Sequence, residues 1–160
     1  MHNENRLQNA TLLTWTLQVF RDFKMGTAQP PHEAALARSM QNHKEWWPDW
    51  EAFSRGSGVE DGTTTTSRLI HIHHDAKVLT QVEQSEPKEI RGFYDALREK
   101  GFTEFESVHT IALGLSEEFA HAREQNEDFN SARYIERAAV YTKESLGRPN
   151  MTRIAGAKAY

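Results

Sequence analysis

Three histidines and an aspartate lie within five consecutive positions of the chain, in the segment HIHHD. The four residues are His71, His73, His74 and Asp75. Imidazole nitrogens and carboxylate oxygens suit zinc, iron, manganese and nickel as ligands. The segment therefore poses the question of whether the protein holds a divalent metal ion.

A helix through this segment would separate the four side chains. His71 and Asp75 are four positions apart, so they face the same direction and can hold one ion together. Glu83 is also predicted to lie on the apolar face of this helix. His74 is predicted to point away from that face, and His73 lies at its margin. The dense cluster thus reduces to a sparser pair, His71 and Asp75.

Further ligands would have to come from other helices, as in the metal sites of helical bundles. His43 lies on the apolar stripe of the second predicted helix and is the best outside candidate, and His109 is a weaker one at the edge of the fifth. Glu106 and His109 form one Glu-x-x-His motif, but a second is missing, which excludes a complete ferritin-like di-iron site. The predicted metal ligands are His43, His71, Asp75 and His109, with Glu83, His74 and Glu106 as secondary candidates.

A purely structural role for the histidines is the alternative. An inward imidazole is more often hydrogen-bonded to a carbonyl or a carboxylate than bound to a metal. His71 and Asp75 could form only a local helix pair. Glu106 already has a structural explanation in a capping box, and Glu117 and Glu118 are expected at the surface.

The apolar periodicity predicts an all-α fold, a single-domain bundle of about five to six helices over residues 1–147, with a flexible tail at 148–160. The predicted helices run from about Leu7 to Lys24, from Pro31 to Trp47, from Arg68 to Gln84, from near Pro87 to Gly101, from the capping box of Thr103 and Glu106 through Phe119, and from near Asp128 to the GRP segment. No alternating run is long enough to indicate a strand.

Two stretches between these helices are predicted to be irregular. Pro48 disfavours helical geometry at Trp47, so the second helix is expected to end there, followed by a short turn through Trp50 and Phe53. The segment SRGSGVEDGTTTTS, residues 54–67, combines three glycines with a threonine run and is predicted to be a loop. The apolar stripe of the last helix is predicted to consist of Phe129, Ala132, Ile135, Ala139 and Leu146.

Composition narrows the choice of partners and location. The 160 residues include 19 basic and 23 acidic side chains, with a net charge of −4 and no basic surface of the kind that recruits nucleic acid. The chain has no cysteine, which excludes disulfides and thiolate sites and favours a cytoplasmic location. The most apolar early stretch, ATLLTWTLQVF, is too short to span a bilayer and follows no export leader, so no membrane association is expected. A protein partner or a homo-oligomer is compatible with this composition.

Several spaced segments resemble the bacterial family catalogued as domain of unknown function 1841, among them FKMGTAQPPHEAALARSMQNHKEWW and EPKEIRGFYDALREKGFTEFESVHTIALGLSEEF. The likeness extends from about Asn5 to Arg123. It implies a small helical bacterial protein with two histidine pairs spaced by four and a late histidine, and it implies no established activity. The matching positions are His43 and Trp47 for the first pair, His71 and Asp75 for the second, and then Gln81 and His109. Because Trp47 cannot bind a metal, the resemblance implies a site that is altered or lost.

The leading functional hypothesis is a helical protein with a divalent-metal site of histidines and carboxylates between its helices. If that metal is catalytic, Asp75 or Glu83 could serve as a ligand or general base. A third-ranked hypothesis is a metal-dependent phosphohydrolase that uses His43 with the His74-Asp75 pair. The sequence does not decide whether the protein is an enzyme.

The second-ranked hypothesis is a non-enzymatic interaction module with structural histidines. In that case Trp46, Trp50 and Phe53 would contact a protein partner. An exposed, contiguous aromatic patch at these residues would favour it.

Overall fold

The computed structural model describes residues 2–57 and 62–148, and within these ranges the chain is helical and has no strand. Its α-helices are α1 (His2–Lys24), α2 (Pro31–Asn42), α3 (Trp47–Ser54), α4 (Gly62–Gln84), α5 (Lys88–Glu99), α6 (Glu104–Gln125) and α7 (Ser131–Gly147), with a short 3₁₀ helix at Lys44–Trp46. The all-α prediction is confirmed, with seven α-helices in the described part rather than five or six. None of these helices is both long enough and apolar enough to cross a membrane.

The chain divides into two compact units, Met1–Glu86 and Pro87–Tyr160. The single domain predicted over residues 1–147 stays a prediction. The predicted tail lies, apart from Arg148, outside the described residues.

In the first unit, α2 packs along α4, and α1 contacts α2, α3 and α4. Helical spacing predicts Leu36, Met40, His43 and Trp47 on one stripe of the second helix, and the first three are buried. Trp47 is half-buried and begins α3 instead. The core of this unit consists of Val19, Phe20, Leu36, Met40, Trp50, Leu69, Ile72, Val78 and Leu79.

The segment that follows α2 differs from its prediction. The second helix ends at Asn42, not at Trp47, and a new helix, α3, begins at Trp47 where a turn was expected. Pro48 lies in the first turn of α3. Proline is well tolerated there, because the first N–H groups of a helix have no partner within it. Pro48 therefore disfavours the continuation of α2 and is accommodated in the first turn of α3.

The loop predicted over residues 54–67 is shorter in the structure. Gly62 already belongs to α4, so the threonine run Thr63–Thr66 is helical. Threonine has only a modestly lower helix propensity than alanine, and tertiary packing overrides such preferences. The remaining part of the predicted loop includes residues 58–61, which lie outside the described residues.

In the second unit, α5, α6 and α7 pack against one another. The predicted capping box is confirmed, since Thr103 accepts from Glu106 N–H at 3.2 Å and the Glu106 carboxylate accepts from Thr103 N–H at 2.7 Å. The fourth predicted helix was expected to end at Gly101, and the backbone there is left-handed, with φ +96°. Local sequence therefore sets both the end of α5 and the start of α6.

Helical spacing predicts a buried stripe on α6, and Val108, Ala112 and Leu115 of that stripe are buried. Phe119, at the end of the same stripe, and the stripe of α7 differ from prediction. Phe119 is 45% exposed and packs on Phe129, itself 37% exposed, at a ring distance of 4.7 Å. The buried residues of α7 are Tyr134, Ala138 and Thr142. Tyr134 and Ala138 lie one position before the predicted Ile135 and Ala139, and Thr142 lies three positions after Ala139. Two stripes lie side by side on this helix, and the buried one contains Ala138, whose backbone lies against Gly114 of α6.

Glu118 is fully buried, so its predicted place at the surface is wrong. Its carboxylate accepts from Arg133 Nε at 2.9 Å, from Arg133 Nη2 at 3.0 Å and from the backbone N–H of Asn130 at 3.0 Å. These bonds hold the pKa of Glu118 at about 2, with the hydrogen bond from Arg133 as the largest cause and burial acting against it. The carboxylate thus ties α6 to the start of α7.

Candidate metal centre

Three side chains in the first unit converge on one point. His43 is the residue that caps the C-terminus of α2, and His71 and Asp75 lie one turn apart on α4. The packing of α2 along α4 brings them together. His43 and Asp75 are buried, whereas the His71 side chain is 24% exposed. The prediction that these three residues share one site agrees with this arrangement.

Two of the three separations between the potential ligand atoms match those of a tetrahedral metal site. Asp75 Oδ2 lies 3.2 Å from His43 Nε2 and 3.5 Å from His71 Nε2. One potential ligand atom from each of the three residues can be chosen so that all lie within 4.8 Å of one another. A tetrahedral ion with bonds of about 2.0–2.1 Å needs ligand atoms about 3.4 Å apart. Two of the separations already have that length.

The donor set also suits a divalent cation. A carboxylate buried as deeply as that of Asp75 requires compensation of its charge. Two imidazoles and one carboxylate form a recurrent ligand set for first-row transition metals, which leaves further coordination positions open. The three residues can therefore hold an ion and still leave room for water or another small ligand.

The Trp46 ring contacts both histidines. Trp46 stacks on the His43 ring with centroids 4.2 Å apart and an interplanar angle of 3°, and its edge contact with His71 has a centroid distance of 5.3 Å. Arg68 lies over the Trp46 ring at 5.6 Å and is ion-paired with Asp49. Trp46 thus covers one face of the His43 ring.

His73 has a structural role on the same helix. The Thr16 hydroxyl donates to the Leu12 carbonyl at 2.7 Å and lies 2.9 Å from His73 Nε2. Since the single hydroxyl proton is used, His73 Nε2–H donates to Thr16. Burial lowers the pKa of His73 to about 4, with His74 adding to the shift, so the ring is neutral at physiological pH.

His74 is half-buried and does not belong to the converging group. Burial lowers its pKa to about 4, with Asp75 opposing and His71 adding to the shift. A low pKa keeps the imidazole uncharged near neutral pH. Its predicted role as a secondary ligand stays a prediction.

Glu83 is exposed and forms an ion pair with Arg38 at 3.2 Å, so the prediction that it shares the buried face with Asp75 is wrong. It lies in the last turn of α4, on the exposed side of the helix and next to the buried Val82. Glu106 is engaged in the capping box. His109 belongs to the second unit, where its ring stacks on Phe105 at 5.8 Å, and its role as a ligand stays a prediction.

Two neighbours of the site were not singled out from sequence as partners of His43. Glu45 Oε1 lies 3.1 Å from His43 Nδ1, and Trp46 covers the ring. Both belong to the 3₁₀ helix that follows His43. The only sequence signal for Glu45 is a carboxylate two positions after a buried histidine. A continuous α2, as predicted, would place these two side chains on opposite sides of the helix.

Comparisons of the chain with protein-family models, with curated proteins and with solved structures found no match. The resemblance described from the sequence therefore stays a prediction.

Proposed function

We propose that the first unit binds one divalent transition-metal ion through His43, His71 and Asp75. The observation that carries this proposal is the convergence of two imidazoles and a carboxylate from two packed helices, with ligand atoms within 4.8 Å of one another. Zinc, iron, manganese and nickel all suit this donor set.

The proposed ion would retain open coordination positions. Three protein ligands with a water or substrate in the remaining position are typical of catalytic sites, whereas structural zinc sites are closed by four protein ligands. The His71 side chain is 24% exposed, and its Nε2 atom is buried. An ion held in this way can lower the pKa of a bound water or polarise a bound oxygen. The geometry thus favours a reactive or ligand-binding role over a purely structural one.

The proposal is tested by loading tag-free protein with Zn²⁺, removing excess ion and measuring metal content. We expect one ion per chain in the wild-type protein. We expect His71→Ala to weaken binding by more than about 100-fold, because even changes outside the ligand shell cost 10–100-fold in affinity. His71 is the best position for the test, since it is the most exposed of the three and its truncation disturbs packing least.

His121→Ala serves as the control. His121 belongs to the second unit, its side chain is 33% exposed, and its Nε2 lies 4.0 Å from Glu127. Its loss should therefore leave the metal content unchanged. Wild-type protein that holds no stoichiometric metal, and whose melting temperature is the same with Zn²⁺ and with chelator, would refute the proposal.

The interaction-module hypothesis lacks the exposed aromatic patch that would favour it. Trp46 and Trp50 are buried, and Phe53 is half-buried. The phosphohydrolase hypothesis needs His74 at the site, and His74 is outside the converging group. We therefore favour metal binding over both.

A further inference from the structure

Glu45 contacts the ring nitrogen of His43 that faces away from Asp75. Its Oε1 lies 3.1 Å from His43 Nδ1, while His43 Nε2 lies 3.2 Å from Asp75 Oδ2. We infer that Glu45 is the positioning residue of the metal centre, which fixes His43 as an Nε2 ligand. This inference rests on the proposed function.

The argument begins with the two nitrogens of a neutral imidazole. One carries a proton and the other carries the lone pair that binds a metal, and the hydrogen bond made by the first determines which is which. Glu45 and Asp75 are both carboxylates and can only accept, so either ring nitrogen of His43 can carry the proton while no ion is bound. An ion shared with Asp75 takes the lone pair of Nε2, which leaves the proton on Nδ1. Glu45 accepts from Nδ1–H in that tautomer and so favours the form of the ring that binds the ion.

The 3₁₀ helix supplies both contacts that orient the ring. His43 leaves the helical conformation at the end of α2, with φ −116° and ψ 52°, and the next three residues form the 3₁₀ helix. Within that helix Trp46 stacks on the ring at an interplanar angle of 3°. Stacking restricts the tilt of the ring, and the bond to Glu45 restricts its rotation within its own plane. Together they hold Nε2 in one direction.

The competing explanation of the contact between Glu45 and His43 is an ion pair that has no effect on metal binding. The Glu45 side chain is 61% exposed, and exposed pairs contribute little to folding. The two explanations differ in what they predict. A surface pair would affect neither metal affinity nor the protonated nitrogen of His43, whereas a carboxylate that orients a metal-binding histidine contributes about 10–100-fold to metal affinity.

The test compares Zn²⁺ affinity, by competition with a chromophoric chelator, among three variants. Glu45→Ala removes the acceptor and should weaken binding by about 10-fold or more. Glu45→Gln retains a carbonyl oxygen that can accept from Nδ1–H, so it should lose less. Glu51→Ala is the control, because Glu51 is a similarly exposed carboxylate of the same unit, paired with Lys24 at 3.2 Å, and its loss should leave affinity unchanged.

A second readout is the nitrogen NMR spectrum of His43. In Zn²⁺-loaded wild-type protein we expect a protonated Nδ1 and a metal-bound Nε2, and in Glu45→Ala a loss or mixing of that pattern. Glu45→Ala with wild-type affinity, or a His43 bound through Nδ1, would overturn the inference. If His71→Ala still abolishes binding in that case, metal binding stands and only the role of Glu45 falls. A wild-type protein that binds no Zn²⁺ would overturn both.

Discussion

Two deeply buried carboxylates are compensated in different ways. Glu118 has bidentate hydrogen bonds from Arg133, whose charge is permanent. Asp75 faces two imidazoles, His43 and His71, whose nitrogens can exchange a proton for a metal ion. An arginine partner compensates the charge of a buried carboxylate without an ion, whereas a carboxylate placed between histidines can share a metal ion with them. This difference is why we assign function to Asp75 and a structural role to Glu118.

The Glu118 pair predicts how the stability of the protein depends on pH. Its pKa is lowered from 4.5 to about 2 by folding, chiefly by the bond from Arg133. The stabilisation is therefore fully present above about pH 4.5 and is lost as the pH falls towards 2. Glu118→Gln should lower the free energy of unfolding by about 2 kcal/mol near pH 7.

Urea unfolding at about pH 7 and about pH 3 tests this expectation, because the difference between Glu118→Gln and wild type should shrink at the lower pH. Glu136→Gln changes an exposed carboxylate of α7 and is the matched control. A difference that is the same at both values would contradict the assigned role of the pair.

At Gly114, α6 and α7 approach one another closely. A Cβ placed on Gly114 would lie 2.6 Å from the backbone nitrogen of Ala138 and 2.9 Å from its Cα. Backbone atoms cannot move aside as a flexible side chain can. The absence of a side chain at this position is therefore what permits the contact.

Gly114→Ala should destabilise the protein by about 1–3 kcal/mol, although alanine is the better helix former. Gly92→Ala is the matched control, because Gly92 is exposed within α5 and a Cβ there meets nothing within 4 Å. That variant should be stabilised by about 0.5–1 kcal/mol. Thermal unfolding of both variants would show the opposite signs, and a stabilised Gly114→Ala would disprove the close approach.

The long helices were predictable because local signals mark them. A capping box starts α6, Gly101 follows α5, and apolar residues recur at helical spacing. Periodicity was less informative where two apolar stripes adjoin, as on α7, and a proline could be interpreted either as a stop or as a start, as at Pro48. In both cases packing against another helix decides, and a single sequence does not contain that information.

In the candidate site, too, some residues could be predicted from the sequence and one could not. His43, His71 and Asp75 were predicted because helical spacing places each of them on the apolar stripe of a predicted helix. Glu45 was not predicted, because its contact with His43 depends on the change from α to 3₁₀ geometry after Asn42.

For the chain as a whole, the account assigns the candidate chemistry to the first of two compact units. All three proposed ligands lie within Met1–Glu86, on elements that pack against one another within that unit. Binding of an ion to the folded form alone would stabilise it by about 2.7 kcal/mol at a free concentration 100 times the dissociation constant. Metal-dependent stability therefore follows from the same proposal.

Crystals of the full chain loaded with Zn²⁺, measured at the zinc absorption edge, locate the ion without reference to any activity. We predict one anomalous peak about 2.0–2.1 Å from His43 Nε2, with Asp75 and His71 as the other protein ligands. An anomalous map with no peak at these three residues, from crystals in which zinc is present, would contradict the proposal.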